Sequence, residues 1–414
     1  MSLLVSNGPL RYAIRRGLGL LGDSFSGNCH TIAATAYATE AYGYAGMVAA
    51  RTGLFPSYLD NQGKVGDHTG QFMARLPACL TSVTADLWLL LSRTNDSTTS
   101  GMTLDDTKAN VMKIVTAFLS TPGKYLIVGT GTPRFGTKAL TGQALTDAAA
   151  YKDWVLTYVR QFVPVVNIWD GFTEDMTVEG LHPNILGADF LSSKIVPIIT
   201  ASFDFPGIPL PTDATDIYSA IRPFGCLNPN PLMTGATGVI NASASPVGGS
   251  VLADNYKASG SGLTGITTRW YKEPAAYGEA QCIELGGTLA AAGGYLYLQL
   301  NSNITLANLL AGDVIEMVSA PEIVGNSRGI LGWEAELIIT KPVSGTSTTI
   351  YYRSMDKYQE PFTFPANWKG ALETQRYTCD VTETVVTARM GLYLAAGIAQ
   401  DSKVKVAQFG VRKV

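Results

Sequence analysis

Apolar residues in the first half of the chain fall into two kinds of run that alternate. Leu18–Leu21, Leu54–Asn61, Ala85–Leu91, Lys124–Thr130 and Val163–Trp169 are short and largely apolar, the form of buried strands. Between them, Thr31–Thr52, Gln71–Thr81, Thr103–Leu119, Leu145–Phe162 and Ile185–Ile198 read as helical. Thr103–Leu119 places Val111, Ile114, Val115, Phe118 and Leu119 on one face. Thr146-Asp147 reads as a helix start signal. Thr31–Thr52 is alanine-rich and breaks near Tyr42–Gly46. Five strand–helix alternations predict a mostly parallel sheet covered on both faces. Polar clusters follow the strands at Asp23-Ser24, Gly66-Asp67, Asn95-Asp96 and Glu179–His182. Parallel strands place their carboxyl ends on one edge, so these clusters are expected to share one crevice.

The pattern changes after about residue 204. Pro206–Pro211 (P-G-I-P-L-P) reads as a linker, and we assign 205–225 to it. From Cys226 the runs become short and alternating: Thr267–Tyr271, Tyr295–Leu300, Asp313–Val318, Trp333–Thr340, Thr348–Tyr352, Thr384–Leu394 and Val404–Val411. Short strands between Gly, Asn, Ser and Pro predict an antiparallel β-sandwich. The expected organisation is an α/β domain over 1–204 and a β-sandwich over 226–414.

Composition narrows the partners. Charged residues are only 15% of the 414, and the net charge is −3. Neither nucleic acid nor an anionic membrane is a natural partner for such a surface. No apolar run is expected to reach the roughly 18 residues of a membrane span. Met1–Arg16 has no long apolar segment of signal-peptide type. The five cysteines are far apart and form no CxxC pair, so no structural zinc site is expected, and the expected chemistry calls for no other metal or cofactor. The low charge suits an extracellular or virion-associated protein.

Gly22-Asp23-Ser24 presents a serine just past a strand end. A serine nucleophile needs a base, usually histidine, and a carboxylate to orient that base. The chain has three histidines, His30, His68 and His182. His182 lies three residues after Glu179, close enough for the carboxylate to reach its ring across a turn. His30 and His68 sit near the same predicted edge and could line the crevice.

Leu21–Ser24 with Gly27, Asn61-x-Gly63-x-x-Gly66-Asp67, Thr94-Asn95-Asp96 and Glu179-x-x-His182-Pro183 together resemble the four motif blocks of the SGNH, or GDSL-type, hydrolases, over about residues 17–199. The resemblance implies a flavodoxin-like three-layer α/β/α fold. It implies Ser24 as nucleophile, His182 as general base, and Ser24, Gly66 and Asn95 as the oxyanion donors. Two positions depart from the family pattern. Arg93 stands where a glycine is usual, which either places a cation at the crevice rim or simply alters the turn. Glu179 stands where the family has aspartate, with Asp175 as the fallback acid.

In the second half, Asn228-Pro229-Asn230-Pro231-Leu232, Gly312-Asp313 before a strand and the closing strand Val404–Val411 resemble, more weakly, a carbohydrate-binding jelly roll of the galactose-binding type. Trp270, Tyr271, Tyr295, Trp333, Tyr351, Tyr352 and Trp368 are its candidates for stacking on sugars or for the core. The expected function is a serine esterase removing a small acyl group, O-acetyl, from a polysaccharide. A bacterial polysaccharide deacetylase and the esterase part of a phage tail spike or fibre both fit, the latter as a homotrimer. A lipase or thioesterase acting on longer acyl chains is one rival. A glycan-binding adhesion module with an inactive hydrolase domain is the other.

Overall fold

The structure, a computed structural model, describes residues 11–15, 17–32, 38–41, 43–96, 101–342, 346–353, 364–374 and 376–414. It divides into two units. The first comprises Met1–Cys29, Thr52–Pro183 and Gly187–Gly207, and the second comprises His30–Arg51, Asn184–Leu186 and Ile208–Val414.

The first unit is built on a five-stranded sheet. Its strands are β1 (Gly17–Gly22), β2 (Phe55–Gly63), β3 (Ala85–Leu91), β4 (Tyr125–Gly129) and β5 (Val165–Val166), in the order β2-β1-β3-β4-β5. Every neighbouring pair is parallel. This is the flavodoxin-like order, whose direction reverses beside β1. Helices α1 (Ser24–Gly27), α2 (Thr69–Phe72), α3 (Leu76–Thr81), α4 (Leu104–Leu119), α5 (Gly142–Thr157) and α6 (Ile185–Ser202) complete the element order used below. Trp88, Leu90, Leu126 and Val128 form one core cluster with Val111, Ile114 and Val115 of α4 and Tyr151 and Val155 of α5. Leu87, Leu89 and Ile127, which alternate with them, are also fully buried, so both sheet faces are covered.

Several boundaries differ from the sequence expectation for identifiable reasons. The helix expected over Thr31–Thr52 is, among its described residues, strands His30–Ile32 and Ala38–Ala41 followed by a helix at Gly43–Thr52. Alanine suggests a helix, but Ala38–Glu40 pair with Thr349–Tyr351, and pairing context overrides propensity. The helix expected over Gln71–Thr81 is two short ones, because Pro77 starts the second. α5 begins at Gly142, ahead of the expected start signal at Thr146-Asp147. The expected strand Val163–Trp169 pairs only at Val165–Val166. α6 is, contrary to expectation, long and apolar enough to cross a membrane by length and composition. Its fully buried residues Leu191, Ser192, Ile195 and Ile199 form a stripe at helical spacing, as on a core helix.

The second unit holds an eight-stranded sheet and a six-stranded sheet. The eight-stranded sheet runs from Val239–Ile240 through Tyr256–Ser261, Gly294–Leu300, Val385–Leu394, Ile330–Thr340 and Thr346–Arg353 to Ala38–Ala41 and His30–Ile32. The six-stranded sheet contains Ile266–Pro274, Glu279–Thr288, Ala399–Lys413, Val314–Val324 and Leu372–Glu373, with Tyr377–Thr378 beside Val314–Val324. Most pairs are antiparallel. The strands His30–Ile32 and Ala38–Ala41 also belong to this unit, with Ala38–Glu40 paired in parallel to Thr349–Tyr351. Trp270, Trp333 and Trp368 are core residues and offer no face to a sugar. Tyr271 and Tyr295 are half-buried, and the side chains of Tyr351 and Tyr352 lie outside the described ones. All five cysteines are buried.

Candidate active site

β1 delivers the serine. Its apolar residues Leu18, Leu20 and Leu21 are fully buried, and the strand stops at Gly22, after which Asp23 caps α1. The Asp23 carboxylate accepts from the Phe25 N–H at 3.0 Å, a side-chain cap that turns the chain into α1 at Ser24. Ser24 therefore sits beyond a strand's carboxyl end, beside the point where strand order reverses, which is where open α/β sheets bind ligands.

The histidine arrives from the opposite side of the crevice on a turn. Thr177 and Pro183 form an antiparallel bridge, and the Val178 N–H donates to the His182 carbonyl at 2.9 Å. Inside this turn the Gly180 N–H donates to Thr177 Oγ1 at 3.0 Å, and the Phe135 N–H donates to the Gly180 carbonyl at 2.8 Å. Gly180 has φ +83°, and a Cβ there would lie 2.3 Å from the Phe135 oxygen, so only glycine fits. The result is a line of three side chains. His182 Nε2 lies 2.9 Å from Ser24 Oγ, and His182 Nδ1 is hydrogen-bonded to Glu179 Oε1. Asp175, the fallback acid, accepts from Thr173 Oγ1 in an exposed short helix. The Phe25 ring lies 6.1 Å from the imidazole, an apolar neighbour on one side of it.

The loop carrying Gly66 follows β2. Gly63 passes so close to α1 that a Cβ would lie 2.2 Å from the Gly27 nitrogen. Asn61 Nδ2 donates to the Ser26 carbonyl at 3.0 Å, and the Lys64 N–H donates to the Gly22 carbonyl at 3.1 Å. The loop is thus tied to the end of β1. Gly66 itself is exposed, with φ +84° and open space where a Cβ would be, so its backbone conformation rather than crowding calls for glycine. Asn95 Nδ2 donates to the Asp67 carbonyl at 3.0 Å. An amide nitrogen has two hydrogens, so one holds this loop and one remains to donate.

Arg75 is a part of the site that sequence reading missed. Its guanidinium pairs with the Asp67 carboxylate, donates from Nε to the Gln62 carbonyl at 2.8 Å and from Nη2 to the Gly22 carbonyl at 3.0 Å. One side chain thereby joins the ends of β1 and β2 to the Gly66-Asp67 loop. Asp96 is buried and accepts from the Thr69 N–H at 3.2 Å and from Thr107 Oγ1 at 3.2 Å, which joins the Asn95 loop to α2 and α4.

The remaining candidates take varied positions. Arg93 is buried with φ +88°, so a residue with a Cβ occupies the left-handed conformation usual for glycine. His68 caps α2: its Nδ1 accepts from the Gly70 N–H at 3.2 Å, and its own N–H donates to Gln71 Oε1 at 3.0 Å. His30 begins a strand of the second unit, and its side chain lies outside the described ones. Burial pushes the Asp23 carboxyl up to about 6, against the opposing hydrogen bonds from Phe25 and Thr94. Among the described residues, no group of three or more His, Cys, Asp or Glu could hold a metal ion.

No protein-family model matches the sequence, and no curated protein matches it. Solved structures do resemble part of the chain. An acetylxylan esterase from Geobacillus stearothermophilus is 17% identical, with a TM-score of 0.36 over 47% of this chain and 98% of its own. A carbohydrate esterase of family 3 from Talaromyces cellulolyticus is 18% identical, with a TM-score of 0.33 over 44% of this chain and 94% of its own. A GDSL-like lipase from Bacteroides thetaiotaomicron is 16% identical, with a TM-score of 0.34 over 44% of this chain and 85% of its own. These three solved structures are thus a GDSL-like lipase and carbohydrate esterases, and the likeness takes in less than half of this chain.

Proposed function

We propose that the first unit is a serine ester hydrolase that removes a small acyl group, O-acetyl, from a polysaccharide. The observation that carries this reading is the Ser24–His182–Glu179 line, with 2.9 Å between Ser24 Oγ and His182 Nε2. That spacing is the hydrogen-bond reach a general base requires. Ser24 Oγ attacks the ester carbonyl carbon as His182 Nε2 takes its proton. Glu179 holds the opposite ring nitrogen, fixes the tautomer and stabilises the imidazolium that forms. The Ser24 N–H, the Gly66 N–H and the second Asn95 amide hydrogen receive the oxyanion. Collapse of the tetrahedral species breaks the bond to the sugar oxygen, which leaves with the proton from His182. Water then attacks the acetyl-enzyme with His182 again as base, and acetate departs.

The test is hydrolysis of 4-nitrophenyl acetate by the full chain and by Ser24→Ala. The expected loss of kcat is about 10⁴-fold or more, by analogy with removal of a serine nucleophile elsewhere. Equal rates would overturn the reading. A preference for octanoate over acetate would redirect it to a lipase.

A further inference from the structure

Beside the proposed catalytic residues is a small pocket lined by two guanidinium-bearing residues, Arg93 and Arg134. Ser92, Thr94, Thr130 and Trp169 are among its other lining residues, and its volume is about 20 Å³. A water-sized group needs roughly 10–15 Å³ by this kind of measure, so the pocket takes one small polar group rather than a whole ring. It lies at the carboxyl ends of β3 and β4. Thr94 precedes the proposed oxyanion residue Asn95, and Arg134 Nη1 donates to the Thr94 carbonyl at 3.3 Å. Arg134 also precedes Phe135, whose N–H donates to Gly180 in the turn that carries His182. The pocket therefore adjoins both the Asn95 loop and the His182 turn.

Arg93 is the unusual member. It is only 6% exposed and occupies a backbone conformation that costs a non-glycine residue energy. Its Nε is buried with no hydrogen-bond partner. Its guanidinium carbon lies 5.8 Å from the centre of the Tyr151 ring, and the charges of Asp96 and Asp147 act on it. On Arg134 the charge that acts is Asp23. Burial lowers the pKa of both arginines. A buried cation normally has a counter-ion. Trp169 is half-buried and lines the same pocket, and such an aromatic face suits the apolar side of a pyranose.

The geometry points to a specificity subsite for a carboxylate-bearing sugar: Arg93 and Arg134 receive the carboxylate of a uronic acid unit while Trp169 meets its ring. The placement beside the ester centre rests on the esterase reading above, but binding at the subsite does not. Arginine is suited to this role because its planar donors match a carboxylate in two-point contact.

The experiment measures binding of methyl glucuronoside, methyl glucoside and glucose 6-phosphate to the full chain by ligand-observed NMR titration. Arg93→Gly and Arg134→Met are compared with the unsubstituted protein. Glycine is chosen because it adopts the backbone conformation of position 93 freely. The expected result is at least tenfold tighter binding of the glucuronoside than of the glucoside, with that ratio cut at least tenfold in each variant. Equal binding of the two, no binding of either, or preference for the phosphate would overturn the subsite. So would an unchanged ratio in a variant with the unsubstituted protein's circular dichroism and Tm. If Ser24→Ala matches the unsubstituted rate on 4-nitrophenyl acetate while the ratio holds, the esterase reading fails and the carboxylate subsite stands.

Discussion

The two sides of the crevice are held by different means. On the His182 side a turn is closed by backbone hydrogen bonds and by one glycine that nothing else could replace. On the Gly66 side a single guanidinium, that of Arg75, bridges two strand ends and the loop beside them. The first arrangement places one ring precisely and carries little of the fold. The second carries position and stability together, because Arg75 is mostly buried and Asp67 almost wholly so. Changes on the two sides should therefore separate in a plot of rate against stability.

The largest effect that sharpens this contrast is expected on the histidine side. Glu179→Gln should lower kcat by about 10²–10⁴-fold, since an amide can select the wrong imidazole tautomer. Its Tm should move little, because Glu179 is about one-third exposed. A large fall in Tm with little loss of rate would break the contrast. Next comes Arg75→Met, which should cost about 3 kcal/mol in urea unfolding, as for a buried pair stripped of one partner. It should also lower kcat by roughly 10²-fold if the Gly66 donor drifts from its place. A variant that loses stability alone would leave Arg75 a fold residue only.

The smallest effect concerns pH, on the serine side of the line. Asp23 is held near 6 in the folded chain, against 3.8 for an ordinary aspartate. The folded form therefore holds the proton more tightly than the unfolded one. The resulting stabilisation is complete below about pH 3.8 and is lost as pH rises through about 6, a difference of about 3 kcal/mol at most. Asp23→Asn, which keeps a capping side chain, should flatten the fall in unfolding free energy between pH 4 and pH 7. An unchanged slope would show that the carboxyl titrates at its ordinary value.

The chemistry-bearing residues of this site were easier to read than the residues that hold them. Ser24 and His182 stand out because each lies within a few residues of its own signal: the glycine before the serine, and the carboxylate three positions before the histidine. Arg75 carries no such signal. It acts on Gly22, Gln62 and Asp67 through the reach of its side chain, and no local pattern encodes that. The parallel direction of the sheet followed from the strand–helix alternation, because parallel strands must be connected by crossovers, whereas its flavodoxin-like order came from the family resemblance. The strand Glu279–Thr288 was missed because a polar residue sits at a core position within it. Gln281 is fully buried there, donating to the Val251 and Tyr271 carbonyls at 3.1 and 3.0 Å, and accepting from the Ala253 N–H at 2.8 Å. The segment 30–41 was misread because its partner strand lies far along the chain, and no window of local periodicity reaches it.

That last pairing sets a timetable for making the protein. Ala38 pairs with Thr349, so the early strand must wait for roughly 300 more residues to be synthesised. At 5–20 residues per second this takes tens of seconds. Throughout that time the strand has an unpaired backbone edge, the form of surface through which nascent chains associate wrongly. Yield in a cell should therefore depend on what shields residues 30–41 before the later strands emerge. Cutting the chain after residue 207 would make that exposure permanent.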